Sequence, residues 1–337
     1  MTLAHRIGCS LALLSLCVAL CGCAGGGGGK SRSPAHSVTK APPPVPPRVS
    51  VPVQPALQQQ ARTEMHRAAQ QSTSPLVRAH ALELMREAAP EEAPPYVTKG
   101  LDDQAAVVRF AAALAAGELK IDARDRLRQL ALEDPDTSVQ IAARFALHRL
   151  GDTSLSRELE KTARSENPRT RADTAMVLGL LGEKSGLNIL RALRNDRDPA
   201  VRLQVAEAMW RLGDDQALEP LVAGTLSHYP DDQMMAVTGL AANDDRRVLE
   251  DLRGLLTTEY EAINLVTARS MGKLGSDDGY GVALRGAKST DPKMRLLAAL
   301  ALGAIGRSDA QDELAILLRD ANPDVRLAAA AAILQLK

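Results

Sequence analysis

The sequence is poor in aromatic residues and carries no net charge. Its 337 residues include two Phe, one Trp and four Tyr, and 41 Lys and Arg balance 41 Asp and Glu. Proteins that bind nucleic acids normally carry a basic excess, and those that bind single strands stack bases on aromatic rings. The composition therefore argues against a nucleic-acid partner. The hydrophobic residues, 45% of the total, indicate a core built of Ala and Leu.

Cysteine is absent from the sequence after residue 23. The four cysteines, Cys9, Cys17, Cys21 and Cys23, all lie in the leader. The rest of the chain therefore offers no disulfide, no thiolate nucleophile and no Cys metal ligand. It also lacks the sequence motifs of phosphate-binding loops, dinucleotide-binding turns, serine hydrolases and zinc proteases. We therefore predict a protein that is not an enzyme, with no catalytic residue, no metal and no cofactor.

The leader contains an apolar run from residue 7 to residue 20. Fourteen residues are too few to span a bilayer, which needs about 20, but they suit the hydrophobic part of a secretory signal. The stretch Leu20-Cys21-Gly22-Cys23 resembles the lipobox of bacterial lipoproteins. The resemblance implies a signal peptide of residues 1–22, cleavage before Cys23 and a diacylglycerol on its thiol. Cys21 is the rival acceptor, and an ordinary secretory signal without a lipid is the other interpretation.

The same resemblance implies a lipid-anchored protein of the bacterial cell envelope that faces the periplasm. Ala24 stands where enteric lipoproteins retained in the inner membrane carry Asp, so we expect the outer membrane. Residues 23–54 are rich in Gly and Pro, which predicts a disordered tether of up to about 100 Å. The tether is basic, because the first acidic residue of the sequence is Glu64.

The rest of the sequence repeats with a period of 31 residues. We number the positions of each copy from Pro75 as position 1, so that nine copies begin at Pro75, Ala106, Thr137, Pro168, Pro199, Pro230, Glu261, Pro292 and Pro323. Within a copy, apolar residues at positions 3, 7, 10, 11 and 14 share one helical face, and Gly at position 15 ends the helix. A second apolar set predicts a return helix. One pair cannot cover its own apolar face, so neighbouring pairs must stack.

These features predict an all-α fold, a right-handed α-solenoid of about nine helix pairs over residues 74–337. The phrase DPKMRLLAALALGAIG, residues 291–306, resembles the short HEAT-like repeat first named from phycobilisome lyases. The resemblance implies an armadillo-like superhelix and is specific for fold. Residues 55–73 are predicted to form a polar helix that caps the first copy. Copy nine has only its first helix, which predicts either a cap or an open apolar edge for a partner or for self-association.

Arginine recurs at position 4, near the buried face of the first helix. The structural interpretation is that each guanidinium reaches a nearby Asp or a helix-end carbonyl. The functional interpretation is a row of anion sites. Copies three, six and seven have Gln140, Gln233 and Asn264 instead, so we expect the polar contacts between neighbouring copies to be missing there.

The return helices of such a solenoid are expected to line its concave side, and partner binding is predicted on their outward positions. The candidates are basic residues together with an apolar interruption in copy five: Arg157, Lys161, Arg164, Arg191, Arg253, Arg285, Val222, Leu226 and Trp210. Trp210 occupies a position where other copies have Gly, so it either fills a local gap or anchors a partner. The mixed, locally basic strip suits an extended or acidic protein, although it would equally serve as a solvated surface.

The sequence therefore favours a membrane-anchored, non-catalytic scaffold or adaptor that binds protein partners at the envelope. Two alternatives stay open. The first is a catalytic or cofactor-binding relative of the lyase or hydroxylase type, and the second is a purely structural spacer. The sequence does not identify the partner.

Overall fold

The computed structural model describes residues 45–337, and the predicted signal peptide and Cys23 lie outside them. Over the described residues the chain forms eighteen α-helices and no strand. In chain order they are α1 (Pro55–Gln71), α2 (Pro75–Ala88), α3 (Pro94–Gly100), α4 (Ala106–Leu119), α5 (Arg124–Glu133), α6 (Thr137–Arg149), α7 (Ser156–Thr162), α8 (Pro168–Leu181), α9 (Leu187–Leu193), α10 (Pro199–Arg211), α11 (Leu218–Gly224), α12 (Pro230–Leu240), α13 (Leu249–Arg253), α14 (Glu261–Lys273), α15 (Tyr280–Gly286), α16 (Pro292–Ile305), α17 (Gln311–Leu317) and α18 (Pro323–Gln335).

The first helix of each copy begins and ends where the repeat predicts. At the start of α8, the Asn167 side chain accepts a hydrogen bond from the backbone N–H of Arg169, and Pro168 follows as the first helical residue. This Pro sacrifices no backbone bond, because the first helical N–H groups have no partner inside the helix. Gly182, with φ of 74°, ends the helix in the left-handed conformation. The predicted helix pairs are confirmed.

The first helices form the inside of the array and the return helices its outer layer, so the expectation that the return helices line the concave side is wrong. In α16, ten of fourteen residues are buried, whereas α9 and α11 each bury a single residue. A helix that is buried on all sides gains its stability from packing on both neighbours. The all-helical solenoid predicted from the sequence is therefore confirmed.

The array closes on itself. The first helix of copy nine, α18, packs on one side against α16 of copy eight and on the other against α2 of copy one. Helix α1 lies between α18 and α2, where the missing return helix of copy nine would lie. Over residues 45–337 the fold therefore contains nine complete pairs, the last of which joins the two ends of the described chain. We call α18 and α1 the closing pair.

The closing pair buries the edge that a half-repeat would leave open. Leu57, Ala61, Met65 and Ala68 of α1 are buried, and so is the run from Ala328 to Ile333 in α18. Across the pair, Arg326 Nε donates to Glu64 Oε1 at 3.0 Å. The polar helix predicted over residues 55–73 is thus present, but it completes the last copy as well as covering the first. The open apolar edge behind the self-association hypothesis is covered by the chain itself.

Residues 45–54 lie in an extended conformation against copies seven and eight. Arg307, which is 1% exposed, donates to the carbonyl oxygens of Pro46 and Pro47 at 2.9 and 2.8 Å. Gln311 exchanges hydrogen bonds with the backbone of Pro52 and Gln54. The guanidinium of Arg307 also lies 3.9 Å from the centre of the Tyr280 ring. The structure therefore shortens the tether, because its last ten residues are held where we expected disorder.

A buried group of charges joins distant copies inside the array. Glu87 of copy one lies 3.4 Å from Arg269 and 3.6 Å from Lys273 of copy seven. Burial alone would raise the pKa of Glu87, but Lys273, Arg269 and Arg86 outweigh it and hold this pKa below its usual value. Such a group is costly to desolvate unless each charge is compensated. It therefore ties copy one to copy seven across the inside of the fold.

Candidate docking groove

Position 4 makes the same backbone contact in all nine copies. Its side chain donates to the carbonyl oxygen six residues earlier, at 2.6 to 3.0 Å. The donors are Arg78, Arg109, Gln140, Arg171, Arg202, Gln233, Asn264, Arg295 and Arg326. Gln and Asn make this bond as well as Arg does. The expectation that the polar contact would be lost in copies three, six and seven is therefore wrong for the backbone bond.

A second contact is made only where position 4 is Arg. In four copies, Nε and Nη2 of the guanidinium bind both carboxylate oxygens of the Asp at position 29, at 2.6 to 3.0 Å. The pairs are Arg78–Asp103, Arg109–Asp134, Arg171–Asp196 and Arg295–Asp320. The hydrogen bond from Arg171 lowers the pKa of Asp196 below its usual range. This geometry supports the structural interpretation of the arginine column.

Copy nine obtains its carboxylate from the other end of the described chain. The given sequence ends before position 29 of copy nine, and here Glu64 of α1 binds Nε of Arg326. Burial opposes ionisation of Glu64, but the hydrogen bonds from Arg67 and Arg326 outweigh it and lower the pKa of Glu64. In copies three, six and seven, where position 4 is Gln or Asn, position 29 is Ser165, Thr258 or Ser289. No acid therefore faces those amides from that position.

Copy five breaks this correspondence. Arg202 keeps the bond from its Nη1 to the carbonyl of Asp196 at 2.8 Å, but position 29 is Ser227. Within residues 45–337 no ion pair or hydrogen bond involves Nε or Nη2 of Arg202, and the side chain is exposed. We call the side of the guanidinium formed by Nε and Nη2 its outer edge. Of the six arginines at position 4, Arg202 is thus the one whose outer edge binds no carboxylate of the described chain.

Arg202 lines a groove of about 470 Å³, which we call the copy-five groove. The volume falls in the range of ligand sites, about 300 to 1,000 Å³. The wall is formed by the end of α9, one side of α10, helix α11 and the start of α12: Arg194, Asn195, Pro199, Arg202, Leu203, Val205, Ala206, Met209, Gln216, Ala217, Glu219, Pro220, Gly224, Ser227 and Asp232. The groove therefore combines an apolar floor with charged groups of both signs.

Two exposed apolar residues flank Ser227 beside this groove. Leu226 is 74% exposed and Tyr229 is 71% exposed. Tyr229 occupies the N-cap of α12, where Asp198 and Asn322 bond the first amides of their helices, and its side chain makes no such bond. A missing cap costs about 1 kcal/mol of stability. Copy six thus has a poorer helix start and presents an exposed aromatic ring there.

Trp210 takes no part in this surface. Its side chain is 0% exposed, and its indole nitrogen donates to the carbonyl oxygen of Leu240 at 3.0 Å. The interpretation of Trp210 as a partner anchor is therefore wrong, and the interpretation as a local filler is confirmed. The ring therefore packs towards copy six, whose Leu240 carbonyl accepts its indole N–H.

The predicted basic residues divide into two groups. Lys161, Arg191 and Arg253 are engaged by Glu158, Asp214 and Asp278 of the same chain, at 2.6 to 2.9 Å. Arg157, Arg164 and Arg285 are exposed and, over the part of the chain described, make no ion pair within 4 Å. Val222 is half-buried and Leu226 is exposed. Of the predicted residues, Leu226 is the one that lies beside the groove.

Arg202 and Ser227 were not among the site residues predicted from the sequence. A signal was present, because aligning the nine copies places Asp103, Asp134, Asp196 and Asp320 in one column with Ser227. The mismatch of Arg at position 4 with Ser at position 29 occurs only in copy five. Over residues 45–337, no group of three or more His, Cys, Asp or Glu could hold a metal ion. No helix among the same residues is long and apolar enough to cross a membrane.

The repeated helix pairs and their shared contacts define the chain as an α-solenoid repeat protein. The family model for HEAT repeats matches residues 64–148, 156–232 and 282–337, which is more than half of the sequence. The chain belongs to the HEAT-repeat family. No functionally curated protein matches it.

Several solved structures resemble the fold at low sequence identity. A chain from the CpcE–CpcF complex of phycocyanin lyase from Nostoc sp. PCC7120 is 19% identical, with a TM-score of 0.42, and the match covers 73% of this chain and 97% of that one. Human deoxyhypusine hydroxylase is 16% identical, with a TM-score of 0.36, and the match covers 82% and 96%. In the Kap95p structure with RanGDP the values are 13% and 0.36, over 82% of this chain and 44% of that chain.

Proposed function

We propose that this protein is a lipid-anchored, non-catalytic scaffold of the bacterial cell envelope that binds a protein partner in the copy-five groove. The observation that carries the proposal is the groove itself, with Leu226 and Tyr229 exposed beside it. Monomeric surfaces rarely leave large apolar side chains together without a use. Interfaces are enriched in Tyr, and their central residues are apolar.

The anchoring part of the proposal rests on Cys23 and its sequence context. A diacylglycerol on Cys23 would hold the tether at the membrane, facing the periplasm, and the residue after Cys23 favours the outer membrane. From residue 45 onward the chain is attached to copies seven and eight through Arg307. The free tether would therefore comprise residues 23–44, which limits the reach of the fold to about 75 Å from the bilayer.

Photo-crosslinking in cells tests the docking part. A photoreactive amino acid in place of Leu226 should crosslink to a protein of defined mass. The matched control replaces Leu132, which is 58% exposed and lies in copy two. The proposal predicts a product at position 226 and none of the same mass at position 132. Equal products at both positions, or none at 226, would contradict it.

Native mass spectrometry of the chain extracted from its own membranes tests the rest. A protein mass attached to an acylated chain supports an anchored scaffold, whereas a metal or chromophore in fixed ratio without a protein would indicate the catalytic alternative. In parallel, Cys23→Ser should remove the lipid mass from the chain, and Cys21→Ser should not. A C23S variant that is still acylated, or a wild-type chain without a lipid, would refute the anchor at Cys23.

A further inference from the structure

We propose that the copy-five groove recognises a carboxylate of an extended, acidic segment of the partner protein, and that Arg202 binds this carboxylate. The inference rests on the docking function proposed above and names the chemistry of the ligand. It follows from what the other arginines of the same column bind.

Five copies show the ligand that this guanidinium edge accepts. In four of them Nε and Nη2 hold the two oxygens of an aspartate at 2.6 to 3.0 Å, and in copy nine Nε holds an oxygen of Glu64. The planar guanidinium matches a carboxylate with two parallel hydrogen bonds, which gives both energy and direction. In copy five the bond from Nη1 to the carbonyl of Asp196 orients Arg202 in the same way. The same edge is therefore directed at the place of the missing aspartate.

The neighbouring acid of the chain does not occupy that edge. Asp232 lies close by, but its carboxylate accepts a hydrogen bond from the hydroxyl of Ser227 at 3.1 Å and makes no ion pair with Arg202. Ser227 keeps the turn bond of position 29, accepting from the N–H of Tyr229 at 3.2 Å. The turn thus has its normal shape, and the difference is confined to the missing carboxylate. Arg202 is exposed, so water satisfies it until a ligand displaces the water.

The sequence and the groove restrict the source of the ligand. Residues 1–63 contain no Asp or Glu, so the tether of this chain cannot supply a carboxylate side chain. The groove is also far larger than a single carboxylate. Its floor contains Leu203, Ala206 and Met209, and Leu226 lies on the adjoining turn. A peptide segment with an acidic side chain beside apolar ones would fill both parts, whereas a small free anion would leave the floor uncovered.

Peptide selection tests this inference directly. A random 12-residue peptide library would be selected on the full chain purified in mild detergent, and synthetic copies of the enriched peptides would be titrated by fluorescence anisotropy. We expect each enriched peptide to contain an Asp or Glu whose replacement by Asn or Gln weakens binding about tenfold, the usual loss for a charge-assisted hydrogen bond. Arg202→Gln should cause the same loss and should fold, because Gln140 and Gln233 serve at position 4 of copies three and six.

A second variant tests the same site without removing Arg202. Wherever an Asp stands at position 29, the next copy has Val at its position 3: Val108, Val139, Val201 and Val325. The double change Ser227→Asp with Asp232→Val reproduces this arrangement in copy five. The introduced aspartate should bind Arg202 within the chain and weaken peptide binding about tenfold. Asp232→Val alone should not weaken it. Ser289→Asp, in copy seven, where position 4 is Asn264, is the control for the added charge.

The possible results separate the two proposals. Enriched peptides without an acidic residue, or acidic peptides unaffected by R202Q, would overturn the carboxylate inference. If Leu226→Ser still weakened the binding of such peptides, docking in the groove would be supported without the carboxylate inference. If no peptide were enriched, the inference would be overturned, and the crosslinking experiment at position 226 would still decide the docking function.

Discussion

Copies five and nine of the array both carry Arg at position 4 and both lack an Asp at position 29. In copy nine, Glu64 from the other end of the described chain binds Arg326, whereas in copy five Ser227 leaves the outer edge of Arg202 without a carboxylate. The two arginines differ in exposure, because the side chain of Arg326 is 22% exposed and Arg202 is exposed to solvent.

This difference indicates which arginines at position 4 need a carboxylate partner for stability. A partly buried guanidinium without a counter-charge loses hydration that nothing replaces, so copy nine needs a carboxylate. An exposed guanidinium keeps its water, so copy five folds without one. The same exposure leaves the edge of Arg202 accessible to a ligand. Glu64 thus stabilises the closing pair, whereas the position facing Arg202 in copy five stays open to solvent.

The largest effect should come from breaking the closing pair. Met65 is 1% exposed between α1 and α18, so Met65→Asp removes a core side chain and buries a charge. We expect a loss of about 4 kcal/mol or more in the free energy of unfolding, measured by urea denaturation and circular dichroism. Gln60→Asp places the same charge on the exposed side of α1 and should cost little. Equal stability of the two variants would contradict closure by α1.

Replacing the two arginines by Gln compares the copies directly. Gln can keep the bond to the carbonyl six residues earlier, so each change removes only the charge and its partner. Arg326→Gln should lower the free energy of unfolding by about 1 kcal/mol, because it loses Glu64. Arg202→Gln should change it by less than about 0.5 kcal/mol. A larger loss for R202Q than for R326Q in urea titrations would reverse the comparison.

The restored pair in copy five should stabilise the array. Adding Ser227→Asp to an Asp232→Val background should raise the free energy of unfolding by about 0.5 to 1 kcal/mol, since the new pair lies near the surface. The matched measurement is Ser289→Asp, which places a carboxylate opposite Asn264 and should bring no gain. If both variants gave the same shift in the urea midpoint, the effect would be one of general charge and not of Arg202.

The stability that Glu64 gives the closing pair should depend on pH, with a smaller effect whose direction can be stated. The pKa of Glu64 is lowered in the fold, so its ionised form contributes stability that is present above its ordinary pKa of 4.5. This contribution is lost as the pH falls through the lowered value. Glu64→Gln should therefore destabilise the protein at pH 7 and cost less at pH 3. A cost that grows toward pH 3 would contradict the pairing with Arg326.

The 31-residue period predicted the helices well because helix starts and ends are set by residues that lie close together in the sequence. Asn167 and Asp198 mark helix starts, and Gly182 and Gly306 mark helix ends, so each copy could be predicted by itself. Closure could not be predicted, because it depends on small rotations summed over nine pairs. The exposure of Trp210 was not predictable for a related reason. Four other copies have Gly at its position, and its burial depends on packing against copy six.

The candidate site was predicted in part. Leu226 was identified because an apolar residue interrupts the charged strip in copy five, and the structure leaves it exposed on the turn after α11. The basic strip was less informative, since Lys161, Arg191 and Arg253 are paired with acids that the periodic pattern does not place. Arg202 was not predicted as a site residue because the arginines at position 4 were interpreted as structural. Its role becomes apparent only when its partner at position 29 is compared with those of the other copies.

Whether the partner binds Arg202 can be measured by in-cell crosslinking from position 226 in three backgrounds: the wild-type sequence, Arg202→Gln, and the double change of Ser227→Asp with Asp232→Val. We expect all three to keep the fold and the exposed turn and to differ in whether Arg202 can bind a carboxylate from outside the chain. If the partner binds the free edge of Arg202, the wild-type background should give one partner product, and its yield should fall about tenfold in both others. A product of equal yield in all three would show that the partner does not use the free edge of Arg202.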